Sequence, residues 1–176
     1  MMRKPAFFVL ALVIAVPALT TAAPVVFAGF SPSTGQSALQ MVLCAIDGAR
    51  RSVDIAAYSF TSKPVAAALV AAKNRGVAVR LVADKKANSD RYTAVTFLIN
   101  KGISVRLNGK YVIMHNKFMV VDGDTVQTGS FNYTASAANR NAENVLLVKN
   151  APMLATAYQG EFNRLWDESD ARVKGY

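Results

Sequence analysis

Histidine and cysteine occur once each in this sequence, at His115 and Cys44. One cysteine excludes an intrachain disulfide framework and any cysteine-based metal centre. One histidine excludes the multi-histidine metal sites. A divalent ion would have to draw on Asp54, Asp84, Asp122, Asp124 and Glu143, which follow no recognisable ligand spacing, so neither a metal nor another cofactor is expected. Charged residues are sparse at 18%, apolar residues abundant at 52%, and this balance belongs to a globular chain rather than a disordered one. A length of 176 residues suits one domain with a real core. Cys44 sits in the apolar stretch Met41–Ile46, which predicts a small buried hydrophobe.

Long hydrophobic runs are also missing. The stretch Ala6–Val16 is too short for a membrane span of ~20 residues, and Pro17 closes it. With Arg3 and Lys4 before it and small residues through Ala22-Ala23 after it, the segment reads as a signal peptide over residues 1–23. The expectation is a periplasmic or secreted domain over residues 24–176, with no stable membrane insertion once the leader is removed. Two of the 20 basic residues lie in the leader, leaving 18 against 11 acids, a balance of +7. Such an excess points to an anionic partner, whether nucleic acid, lipid surface or another polyanion.

Apolar periodicity predicts a helix over 37–51, a strand over 52–60, a helix capped by Ser62 and stopped at Gly76, and a strand over 77–83. A helix over 90–100, a strand over 103–107, strands over 112–121 and 125–130, a strand over 143–148 and a helix over 151–166 follow. Residues 24–35 read as an entry segment. The fold class is α/β, a single domain with a mixed β-sheet covered by helices.

Asp122-Gly123-Asp124 is a hairpin signal. Turning at Asp122-Gly123 would place Lys117 opposite Thr128 and His115 opposite Ser130; turning at Gly123-Asp124 would place them opposite Ser130 and Asn132. Either register gathers His115, Lys117 and Ser130 on one face, with Asn132 if the strand continues, whereas one extra turn residue would scatter them. An imidazole, an ammonium, a hydroxyl and an amide suit a phosphodiester: cation and donors for the non-bridging oxygens, imidazole as nucleophile or acid. Gly129 would let the backbone approach closely. Lys85, Lys86, Arg91, Lys101, Arg106, Lys110 and Arg140 together could track a nucleic-acid backbone, while Tyr58 and Tyr111 could stack on bases. Phe60 and Trp166 read as core.

The run His115-x-Lys117, Asp122, Gly129-Ser130-x-Asn132 resembles the HxK(x)4D(x)6GSxN signature of the phospholipase D superfamily, and His115–Thr134 is similar to its small, secreted, one-motif bacterial endonucleases. The resemblance implies a phospholipase D-like fold and metal-independent chemistry. It makes His115 the nucleophile of a covalent phosphohistidine and also the general acid. Lys117 and Asn132 would bind phosphate with help from Ser130, Glu143 would accept a hydrogen bond from the imidazole, and Asp122 would be structural. In-line displacement asks for two imidazoles and the chain has one, so a homodimer sharing one active site is expected. The function expected is non-specific endonuclease action on DNA, with RNA open. A phospholipase D-type lipid hydrolase or transferase and a non-catalytic DNA-binding protein are the alternatives.

Overall fold

The computed structural model describes residues 22–33, 37–90 and 93–172. The expected leader, except for its last two positions, and Arg91 lie outside them. The elements run β1 (Val25–Ser31), α1 (Ala38–Asp47), β2 (Ser52–Ala57), α2 (Lys63–Asn74), β3 (Ala78–Asp84), α3 (Ala94–Asn100), β4 (Ser104–Asn108), β5 (Lys117–Val121), β6 (Thr125–Gly129), α4 (Ala135–Asn139), β7 (Glu143–Lys149), α5 (Pro152–Asp167) and β8 (Asp170–Arg172). They form one α/β domain around an eight-stranded mixed sheet in the order β1-β7-β6-β5-β2-β3-β4-β8. β2, β3 and β4 are parallel, joined through α2 and α3, and the other pairings are antiparallel.

Two apolar layers follow from strand alternation. Met119 and Val121 of β5 pack with Val42, Leu69 and Leu98 of α1, α2 and α3, whereas Phe118 and Val120 pack with Ala155, Phe162 and Leu165 of α5. Local chemistry starts and stops these helices. Ser37 and Gln40 form a reciprocal capping box on α1, and Ser62 caps α2 with Pro64 in its first turn. α5 is tied to the sheet by Asp54, a buried acid that accepts from Arg80 Nε and Nη2 at 2.8 and 2.6 Å and from Gln159 Nε2 at 2.7 Å. No helix among the described residues is long and apolar enough to cross a membrane.

Several expectations are corrected. Residues 24–35 include an edge strand, β1, paired along its length with β7; its Val25, Val26, Phe27 and Phe30 carried a β-signal that the neighbouring Pro, Ser and Gly obscured. The strand expected over 112–121 begins only at Lys117, because its neighbour β2 stops at Ala57, the partner of Lys117. Thr93 caps the helix expected from Asp90, which starts at Ala94. Cys44 is exposed, since the buried face of α1 is Ala38, Met41, Val42, Ala45 and Ile46. Trp166 is half-buried, stacked on Phe162 with the Arg80 and Arg106 guanidinium groups over its ring.

Neither expected hairpin register occurs. Asp122 and Gly123 take positive φ of 54° and 75°, and Asp124 N donates to Val121 O as in a two-residue turn. Val121 nevertheless pairs with Thr125, so Asp124 is bulged out and the ladder shifts by one residue. The Asp122 carboxylate accepts from the backbone N–H groups of Arg50, Arg51 and Ser52 at 2.9, 2.7 and 2.9 Å, pinning the hairpin tip to the start of β2. Burial pushes its pKa up, but those three donors and the Arg51 charge outweigh burial and hold it below the ordinary value.

Asp122→Asn removes that charge and one acceptor, and after allowance for partial exposure costs about 1–2 kcal/mol in urea unfolding at neutral pH. The contribution is complete above the unfolded carboxylate pKa of ~3.9 and disappears as pH falls through the depressed folded value. The gap between wild type and variant therefore closes in acid.

Candidate active site

The sheet presents one end where β2 and β6 stop and β5 and β7 begin, and there a cleft of about 370 Å³ brings together His115, Lys117, Ser130, Asn132 and Glu143. Phe118 and Tyr158 form its wall toward α5. The five expected residues converge even with the shifted register. Alternation would send Lys117, with Met119 and Val121, toward α1–α3, and Ser130, with Val126, toward α5. Convergence comes instead from position, because Lys117 opens β5, His115 precedes it outside any ladder, and β6 ends at Gly129.

Gly129 makes that ending possible. Its φ is 150°, and a Cβ there would overlap the backbone carbonyl of Asn144 on β7. Beyond it, Phe131 and Tyr133 are fully buried while Ser130 and Asn132 turn to the cleft. The loop is anchored by Ser130 N to Asn144 O at 3.1 Å, by Thr61 N and Ser62 N to Tyr133 O, and by Tyr133 Oη to Gln127 Oε1 at 2.8 Å.

Lys117 is buried, and its Nζ donates to His115 O at 2.6 Å while lying 5.3 Å above the Tyr58 ring. Two further N–H donors remain for an anion. Burial lowers its pKa from the usual lysine value, partly offset by the Glu143 charge. His115 is exposed, and its ring meets Tyr58 edge-on at 4.8 Å. Among the described residues Asn132 Oδ1, buried at the cleft, has no hydrogen-bond partner.

Glu143 is engaged differently from the expectation. It makes no hydrogen bond to His115; Oε2 accepts from Ser130 Oγ at 2.5 Å and Oε1 from Asn141 Nδ2 at 3.0 Å. The Ser130 hydroxyl in turn accepts from Asn144 N at 3.0 Å and Asn144 Nδ2 at 3.3 Å. Its one proton is thus given to Glu143, so Ser130 orients the carboxylate and has no donor left for substrate. Among the described residues no three His, Cys, Asp or Glu side chains come together as a metal site.

Residues 42–166 match the family model described as cardiolipin synthase, PLD-like domain. The chain belongs to this phospholipase D-like family. It is 37% identical over 134 residues to a mitochondrial cardiolipin hydrolase of Xenopus laevis, covering 76% of this chain and 63% of that one. A phospholipase D of Rickettsia bellii is 33% identical over 135 residues, covering 77% and 66%. Among solved structures, the phospholipase D family member Nuc from Salmonella typhimurium superposes with a TM-score of 0.82 at 39% identity, covering 86% of this chain and 99% of that one. The chain spans less than two-thirds of the length of the curated relatives it matches and nearly all of Nuc.

Several charges expected to track a polyanion are committed within this phospholipase D-like domain. Lys85 pairs with Asp170 and Lys110 with Glu168, while Arg106 donates to Trp166 O at 2.7 Å and stacks on that ring. Lys101 Nζ lies over Phe97, Arg140 bonds Ser136, and Tyr111 bonds Glu168. Lys86 is exposed. Sequence reasoning missed Tyr158 at the cleft wall, Asn88 behind Tyr58, and the structural use of Asp84. The available signal was Asp84 and Asn88, short polar residues one turn apart at the end of an apolar strand.

Gly129→Ala forces Ser130 and Asn144 apart; destabilisation above about 2 kcal/mol in urea unfolding, with activity lost in the remaining folded fraction, is expected. Lys117 predicts an alkaline limb: phosphodiester cleavage falls as pH rises through its lowered pKa, at a pH below the usual lysine value. Lys117→Arg, permanently charged, removes that limb even where turnover drops.

Proposed function

We propose that this protein is an endonuclease that hydrolyses DNA phosphodiesters through a covalent phosphohistidine, without a metal, in a homodimer sharing one active site in the periplasm or outside the cell. The observation that carries the reading is the meeting of one exposed imidazole, one buried ammonium and the Asn132 amide in an open cleft. The excess of basic residues and the Tyr58 ring beside His115 favour an extended polyanion carrying bases. RNA would fit the same cleft.

Lys117 and the Asn132 amide NH₂ hold the non-bridging oxygens. A His115 nitrogen attacks phosphorus, the phosphorus–oxygen bond to the leaving group breaks, and the second copy's His115 gives that oxygen its proton. Water then attacks the phosphohistidine, losing its proton to the same second imidazole while the nitrogen–phosphorus bond breaks. Glu143, once released by Ser130, can accept the N–H of the attacking imidazole and spread its positive charge. The exposed Val112 and Ile113, 84% and 47% accessible, stand next to His115 where a second copy must approach, which supports the dimer.

A lipid phosphodiester is the second reading, favoured by the 37% identity to a protein named cardiolipin hydrolase. The chemistry at phosphorus is the same, and only the groups flanking the phosphate differ.

Plasmid DNA, single-stranded DNA, RNA, cardiolipin and phosphatidylcholine are offered separately in EDTA. Nucleic acid is cut and the lipids are not; cleavage confined to lipid, or lost in EDTA, overturns the proposal. His115→Ala abolishes cleavage and retains DNA binding. Sedimentation of the active form shows a dimer.

A further inference from the structure

His115 belongs to no strand or helix, yet an attacking nitrogen must be aimed within a fraction of an ångström. The backbone before it is held from β3. Asp84, the last residue of that strand and 2% exposed, accepts from Met114 N through Oδ2 at 2.8 Å and from Ala87 N through Oδ1 at 2.8 Å. Its main-chain oxygen accepts from Asn88 Nδ2 at 2.8 Å. Asn88, 3% exposed, also donates to Tyr58 O at 2.7 Å and accepts from Phe60 N at 2.9 Å. Tyr58 is the residue whose ring meets the imidazole and lies under the Lys117 ammonium.

Two buried side chains from one turn thus hold both the backbone leading into His115 and the residue that packs on its ring. Among the described residues the Asp84 carboxylate meets no cation; a buried charge satisfied only by backbone N–H groups is costly to keep. An asparagine could not replace it, because its amide NH₂ would face one of the two N–H donors. Two acceptors in fixed directions are what the place requires. Met114, 2% exposed and packed against Phe118 and Phe162 on the α5 side, completes the hold.

We propose that Asp84, supported by Asn88, is a positioning residue for the reaction: it aims His115 by clamping Met114 N–H and the Tyr58 segment to the end of β3. This rests on His115 being the reacting group and holds for either class of phosphodiester. The test uses untagged protein, so that the chain's one histidine gives a single imidazole Cε1–H resonance. Bis(p-nitrophenyl) phosphate, which carries neither base nor acyl chain, reports turnover.

Asp84→Asn is expected to lower kcat on the order of 10²-fold with KM little changed, and to shift the His115 resonance as the ring moves relative to Tyr58. Asp54→Asn is the comparison, an equally buried acid on the same sheet that pairs with Arg80 away from the cleft. It lowers the melting temperature and leaves kcat and the resonance in place. The proposal is overturned if Asp84→Asn folds with unchanged kcat and resonance, or if Asp54→Asn moves both equally. Should Asp84→Asn fail to fold, Asn88→Ala is expected to shift the same resonance, and an unshifted resonance in that folded variant overturns the proposal. Wild-type protein inert toward the diester would count against the proposed function, while the resonance still decides the positioning role.

Discussion

At Gly129 the backbone of β6 passes so close to the Asn144 carbonyl that no side chain fits between them. This contact ends β6 while keeping its last turn against β7. It puts Ser130 N on Asn144 O, and the Ser130 hydroxyl between Asn144 and Glu143. Phe131 and Tyr133 are driven into the core as a result, and Asn132 is left at the cleft. A single missing side chain thus sets the direction of three polar ones. Everything assembled from the C-terminal half of the chain depends on that approach, and β5 supplies the rest by beginning where β2 ends.

The layered α/β organisation was legible because its elements carry strong local signals. Ser62-x-Pro64 opens α2, Gly76 and Gly102 follow α2 and α3, and β-branched runs mark β3 and β5. The identities of the clustered residues were legible too, since they sit at fixed spacing in one short stretch. The reason for their clustering was not. Strand parity requires an unbroken ladder, and this hairpin bulges at Asp124 and stops at Gly129. Bulges and kinks leave almost no mark on composition. The tertiary partners were equally hidden: nothing near Ser130 announces that its proton goes to Glu143, thirteen residues away. In sequence Asp84 is one more acid at the end of a strand, and nothing beside it announces Met114 N, thirty residues on, as its donor. β1 was lost because its first four residues are all exposed, so it lacks the alternation that betrays half-buried strands, and the neighbouring Pro, Ser and Gly obscured its β-signal.

The polar groups of the site divide by burial. Lys117 is charged at a desolvated place, a cost the fold sustains for an ammonium with unused donors. His115 is left in solvent, where a second molecule can reach it. Glu143, at the start of β7, is held at the same cleft by Ser130 and Asn141. In the proposed reaction the fixed ammonium holds the substrate while charge appears and disappears on the imidazole.

β1, the first strand of the domain, pairs with β7, which enters only after most of the chain has been made. Loop-closure entropy makes such an end-to-end pairing late and slow. Glu143 and Asn144 lie at the very start of β7, so the cleft closes only when that late strand docks. A partly synthesised or partly folded chain carries the histidine but neither the carboxylate nor the carbonyl that order its surroundings. Competence of the site is in this way a timer on folding, set by the docking of the strand that arrives last.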